Sequence, residues 1–344
     1  MAKHASTMLL TTTTAQPNVT NVTSADVCVN IEEKSVFSDI FMGIYIVAFL
    51  LGLTFNVLVF APIVQQIRRK NVLGVYLIHL SVSDLLFIFT VPLWIIYYHR
   101  DHHWTLPQWS CDLAGFFYYS NMYISIYILC CISIDRCLTI SYPFQAKVVR
   151  RTRYAWAACF FVFALICGIH GAVLDLDKEE VYDNVTRQCY ETYPINERIA
   201  LFNLLRVGFG FTVPFIVLAV CYTRIWMEVQ GSTGLDERGK RKVKNLGIAV
   251  ISIFCVCFFP YHLLLTIRSV SFYYMERSAN CSFEDRLHFS FAFTLALSSL
   301  NCVVDPILYM LASNGVREDM RVCYRRRPPQ SSQPTAVTTA LTKL

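Results

Sequence analysis

Charge is scarce in this chain. Only 16% of its 344 residues are Asp, Glu, Lys or Arg, against 55% hydrophobic. That balance is too apolar for a soluble domain of this length and points to a lipid-embedded core. No polar domain carries a nucleophile beside a base, or His and Cys at metal-ligand spacing, so an enzyme is not expected. The sequence does not fall into two similar halves with broken apolar segments, which argues against a transporter or channel. The Thr-rich segment 1–38 lacks a charged leader, an apolar run and a cleavage site, so the first apolar span is expected to act as an uncleaved anchor. The net charge of +6 is gathered beside apolar stretches. It therefore reads as membrane topology and not as nucleic-acid binding.

What the chain has in abundance is long apolar runs. A bilayer core demands about 20 consecutive apolar residues per helix, because no water is present there to satisfy a broken backbone hydrogen bond. Segments 40–64, 72–98, 113–140, 154–174, 199–227, 246–267 and 289–312 meet that demand. The expectation is an all-α membrane protein, a seven-transmembrane helix bundle over 40–312. An extracellular tail (1–39) precedes it, and a short amphipathic helix with a disordered cytoplasmic tail (313–344) follows it. Lys and Arg set the orientation. Most of the 30 lie on one side, in clusters such as Arg68-Arg69-Lys70, 147–153, 238–244 and Arg325-Arg326-Arg327. The positive-inside rule then places the N-terminus outside, in a multi-pass plasma-membrane protein. Sequons at Asn18, Asn21, Asn184 and Asn280 all fall on that outer side, as glycosylation requires.

Short motifs stand one to a span and in order. They are Asn56, Leu80-Ser81-Val82-Ser83-Asp84-Leu85, Asp135-Arg136-Cys137, Pro214 with Tyr222, Cys257-Phe258-Phe259-Pro260, and Asn301-Cys302-Val303-Val304-Asp305-Pro306-Ile307-Leu308-Tyr309. In these the chain resembles the rhodopsin-like G-protein-coupled receptors. Asn71-Val72-Leu73-Gly74-Val75-Tyr76-Leu77, Trp104-Thr105-Leu106 and Phe259-Pro260-Tyr261-His262-Leu263 bring it nearest the proton-sensing and lysolipid-related group, on its oxidised-fatty-acid branch. The resemblance implies a heterotrimeric G protein and an arrestin as partners, an anionic lipid or a proton as agonist, and no cofactor beyond a sodium ion in the bundle. It also implies a disulfide from Cys111 to Cys189 and a second from Cys28 to Cys281. Cys323 is a palmitoylation candidate.

The residues themselves suggest roles. Arg206 and Arg268 are cations near the outer ends of the fifth and sixth spans, and Tyr118, Tyr119, Phe258, Tyr261 and His262 would border an aromatic cavity between them. A fatty-acid carboxylate could pair with either guanidinium, unless Arg206 bridges helices and Arg268 snorkels to water. Asp84, Ser125, Asn301 and Asp305 are polar groups inside apolar spans, where they must face one another, water or an ion such as sodium on Asp84. Two acids sharing that site could sense protons, or form only a hydrated structural network. His99, His102, His103 and His288 lie near the outer rim, where protonation would add mutual repulsion. The fourth span has no acidic residue where proton-sensing relatives carry one. For G-protein coupling the candidates are the Asp135–Arg136 pair, the loop residue Phe144, and Tyr222 and Tyr309 on inner helix halves.

Overall fold

The computed structural model describes residues 31–176, 182–183, 187–191, 193, 195–231 and 237–312. Among them, seven helices are long and apolar enough to cross a membrane. The expected seven-helix bundle is borne out. Helices α1 (Ile31–Arg68), α2 (Val72–His99), α3 (Gln108–Ser141) and α5 (Thr152–Leu176) form four spans, with the short α4 (Pro143–Val149) between the third and fourth. The fifth span is α6 (Glu197–Leu205), a π-helical stretch (Arg206–Thr212) and α7 (Val213–Gly231). The sixth is α8 (Glu237–Ile253), a second π stretch (Phe254–Phe258) and α9 (Phe259–Tyr274). The seventh is α10 (Arg277–Ser298) followed by α11 (Asn301–Ala312). The expected amphipathic helix and tail lie outside the described residues.

Each π stretch has a proline just after it. A proline lacks the N–H that would bond four residues back, and its ring clashes with that carbonyl. Pro214 and Pro260 are the two prolines, and the wider π turns before them absorb the misfit. The consequence for function is that Arg206 opens the first π stretch, so the local widening sets where its side chain enters the bundle.

The seventh span begins a dozen residues before the apolar run at 289–312 that predicts it. Polar residues hide the early turns from hydropathy. Asn280, Glu284 and His288 recur every four residues and are all buried, so the face they share is interior and not solvent. Asn280 donates from Nδ2 to Glu284 Oε1 at 3.3 Å and accepts from Ser271 Oγ at 3.0 Å. Asn280, where the sequence predicts a glycan, is 4% exposed as a residue and engaged with Ser271 and Glu284.

At the end of the bundle near Cys189, strands β1 (Tyr182–Asp183) and β2 (Gln188–Cys189) pair antiparallel. The Cys111–Cys189 disulfide implied by the resemblance pins β2 to the first turn of α3. Cys281 is also disulfide-bonded, while Cys28 lies outside the described residues. Asn18, Asn21, Asn184 and Cys323 lie outside them too. Backbone at Asp101, His102, Arg187 and Tyr190 takes positive φ. Such left-handed residues reverse the chain sharply after α2 and around β2, and His and Asp tolerate them better than most.

Candidate functional site: a cationic cavity over a two-ended bundle

Toward the Cys189 end lies a cavity of about 820 Å³, part of it continuous with the exterior. Arg206, Arg268, Tyr119 and Tyr261 line it as the sequence predicts, together with Phe116, Phe202 and Phe291. Tyr118, Phe258 and His262 do not line it. Tyr118 turns into a second aromatic cluster and donates to the Leu295 carbonyl. Phe258 is fully buried in the main core, and His262 stacks on Phe211 with ring centroids 4.5 Å apart. Phe258 and His262 lie at the π stretch and the turn after it, which shift the face of the sixth span, while Tyr118 on α3 is drawn into the neighbouring aromatic cluster.

The two arginines differ in one decisive respect. Arg268 is buried and donates from Nε and Nη2 to Glu284 Oε2 at 3.2 and 3.0 Å. Its charge is answered inside the protein, so it neither snorkels nor waits for an anion. Tyr193 and Phe291 rings cover its guanidinium at 4.2 and 5.0 Å. Burial pushes the Tyr193 phenol up, a shift the Arg268 charge opposes, and the ring stays neutral. Arg206 instead donates to the phenol oxygens of Tyr123 and Tyr261, each at 3.2 Å, and to Asn203 Oδ1 at 3.4 Å. It also sits over the Tyr119 ring at 4.6 Å. No carboxylate pairs with it among the described residues. A guanidinium held by phenols keeps its position without losing its need for an anion.

From Arg206 a relay runs across three spans. Tyr123 Oη, on α3, lies 3.2 Å from His262 Nε2, on α9, while Nδ1 of that imidazole is 2.8 Å from the Phe258 carbonyl oxygen. His262 is thus behind the cavity wall but connected to it, two residues from Pro260. Tyr123 was not among the sequence candidates, because a tyrosine in a tyrosine-rich helix carries no signal of its own. Gly210 makes room for it, since a Cβ there would approach the Tyr123 ring at 2.5 Å.

Midway along the bundle the expected polar cluster assembles. Asn301 Nδ2 donates to Ser125 Oγ at 3.1 Å and toward Asn121 Oδ1 at 3.4 Å, and Asn121 Nδ2 donates to Asp84 Oδ1 at 2.9 Å and Ser83 Oγ at 3.2 Å. Asp84 and Asp305 are fully buried. Both Asp305 carboxylate oxygens lack a hydrogen-bond partner at normal distance. Buried carboxylates need a proton, a cation or water, so the donor set fits sodium as well as a proton.

Of the rim histidines, only His102 and His288 converge, on Glu191. His99 and His103 face outward, which corrects the expectation of a four-histidine cluster. Glu191 carried no sequence signal, being a loop acid whose place depends on the β2 turn.

At the opposite end, Asp135 Oδ2 lies 3.3 Å from Arg136 Nη2, the pair the sequence predicts. A third partner was not foreseen. Arg150, fifteen residues on, donates from Nε to Asp135 Oδ1 at 2.7 Å. Phe144 is 84% exposed, as expected, although it sits in α4 and not in an irregular loop. Tyr222 Oη accepts from Ser133 Oγ at 3.2 Å. The side chain of Tyr309 lies outside the described residues.

Comparison with known proteins agrees with this architecture. The family described as "7 transmembrane receptor (rhodopsin family)" matches residues 55–309. "Probable G-protein coupled receptor 132" of Mus musculus is 37% identical over 304 residues, 88% of this chain and 77% of that protein. "G-protein coupled receptor 68" of Homo sapiens is 34% identical over 281 residues, 80% of this chain and 74% of that protein. "Uracil nucleotide/cysteinyl leukotriene receptor" of Homo sapiens is 31% identical over 304 residues, 87% of this chain and 82% of that protein. These relatives are receptors and not enzymes. Seven apolar helices, a bridged Cys111–Cys189 end and an Asp135–Arg136 end together make this chain a member of the rhodopsin family of G-protein-coupled receptors, in its proton-sensing and lysolipid-related group.

Proposed function

We propose that the chain is a receptor for an anionic lipid, an oxidised fatty acid or a lysolipid, whose charged head meets Arg206 while its tail lies along the aromatic and aliphatic cavity wall. The observation that carries this reading is the Arg206 guanidinium, which lines the cavity with phenols and an amide around it and no carboxylate among the described residues. An arriving carboxylate or phosphate would complete a charge-assisted pair in a partly dry site. Arg268, already satisfied by Glu284, shapes the wall.

The N-terminus and the Cys189 end face outward in this reading, and the Arg136 end faces the cytosol, where a heterotrimeric G protein and then an arrestin would dock beside Phe144. An anion drawing on Arg206 would disturb its bonds to Tyr123 and Tyr261, and through Tyr123 the contact to His262 beside the Pro260 turn. Movement of the sixth span would then expose Arg136. By linkage, a G protein that favours the open state must tighten agonist binding by the same factor. The test is Arg206→Ala. Loss of one partner of a desolvated charge pair costs about 2 kcal/mol or more, so the half-maximal lipid concentration should rise roughly 30-fold at unchanged surface expression. An unchanged dose response removes Arg206 from the site.

A second input is favoured by Asp305, whose buried oxygens have no hydrogen-bond partner at normal distance among the described residues. Protonation of the site shared with Asp84, or its occupation by sodium, would change the charge between the second and seventh spans. Asp305→Asn fixes that charge. The expected outcome is a flattened response to external acid, measured as second messenger against pH. An identical pH curve discards the reading.

A further inference from the structure

His102, Glu191 and His288 come from three separate segments and meet at one point. His102 Nδ1 is 2.5 Å from Glu191 Oε1, and His288 Nε2 is 3.5 Å from Glu191 Oε2. One ligand atom from each residue lies within 4.8 Å of the other two. The His102 residue is 1% exposed and His288 6%. Nε2 of His288 makes only that 3.5 Å contact, and Nε2 of His102, the other nitrogen of its ring, is buried without a hydrogen-bond partner among the described residues.

We propose that this triad is a binding site for a divalent transition-metal ion, with zinc the best fit. Two imidazole nitrogens and a carboxylate oxygen form a donor set that zinc accepts with its fourth position left to water. Tetrahedral zinc with bonds of about 2.0–2.1 Å holds its ligand atoms about 3.3 Å apart. The ligand atoms all lie within 4.8 Å of one another, with the two histidines 2.5 and 3.5 Å from the two different Glu191 oxygens, so side-chain rotations would draw them onto one ion. Calcium and magnesium prefer all-oxygen shells and should bind poorly here. Aromatic rings fix the imidazoles from behind. Tyr98 and Tyr97 lie 5.0 and 5.5 Å from the His102 ring, and Tyr193 lies 5.1 Å from that of His288.

The ion would join what the chain separates. His102 follows α2, Glu191 follows the β2 strand that Cys189 ties to α3, and His288 lies on α10. Such a clamp acts on the bundle end away from Arg136.

The experiment uses the full chain purified in detergent with a histidine-free tag and freed of metal by chelation. Zinc is expected to raise the melting temperature of the wild-type chain and of the outward-facing control His103→Ala, with magnesium inactive. In His288→Ala and in Glu191→Gln the apparent zinc affinity should fall more than the roughly 10–100-fold that follows loss of a ligand's outer partner. Cobalt in place of zinc should give a d–d spectrum without the sulfur-to-metal band that binding at the exposed Cys255 would produce. If a variant fails to fold, wild-type protein settles the matter, because zinc must displace the bound cobalt and abolish its d–d spectrum. No melting shift, a shift retained in His288→Ala, or a cobalt spectrum with the sulfur band overturns the site.

Discussion

A receptor carrying Glu284→Gln is expected to reach the cell surface at a small fraction of the wild-type level and to melt well below it. Glu284 is fully buried and accepts from Arg268 Nε and Nη2, from Asn280 Nδ2 at 3.3 Å and from the Ile195 amide at 3.4 Å. It therefore links the sixth span, the seventh span and the segment leading into α6. The substitution keeps size and shape but leaves the buried Arg268 charge without its counter-charge. Breaking a buried pair in this way costs roughly 3–5 kcal/mol. The double variant Glu284→Leu with Arg268→Met removes both charges and should recover most of the loss, since apolar replacement of a whole buried pair is often neutral. Surface staining and thermal melting decide the point. A Glu284→Gln receptor as stable as wild type would show that the pair does not hold these segments together.

Gly115→Ala should produce the largest steric effect of any single methyl group at the cavity. A Cβ at Gly115 would lie 1.9, 2.1 and 2.6 Å from three atoms of the Tyr190 ring, distances no real Cβ tolerates. The clashing atoms are the far end of the Tyr190 side chain, which lines the cavity, so the ring must swing into the cavity for the methyl group to fit. Overpacking costs about 1–3 kcal/mol, and here the displaced ring also takes space from the cavity. Both residues line the cavity, so the expected result is lower thermal stability together with a weakened lipid response. Removing the ring in the double variant Gly115→Ala with Tyr190→Ala should restore stability while leaving the response altered. A single variant indistinguishable from wild type would place Tyr190 elsewhere.

Which parts of the molecule were legible in the sequence follows from range. The seven spans and the Asp135–Arg136 pair depend on local runs, and both were readable. The cluster of Asp84, Ser125, Asn301 and Asp305 was readable because a polar residue in lipid has few places to point. What failed did so for physical reasons. The start of the seventh span was missed because Asn280, Glu284 and His288 are polar, although their spacing of four already marks a helical face. The same omission hid Glu284, the partner that takes Arg268 out of contention as a free cation. Phe258 and His262 were expected at the cavity, but the π stretch of the sixth span turns them into the core, and Tyr118 packs into the second aromatic cluster instead. Arg150 and Glu191 find their partners only through turns whose backbone geometry leaves no residue pattern to read.

The central claim is that an anion arriving at Arg206 alters the protein at Arg136. Guanine-nucleotide exchange on a purified heterotrimeric G protein, catalysed by the purified chain with and without a hydroxylated linoleic acid, tests it most directly. The account predicts exchange that rises with the lipid and loses that dependence in Arg206→Ala, while any exchange without lipid persists. Lipid-stimulated exchange of equal size and potency in Arg206→Ala would contradict it.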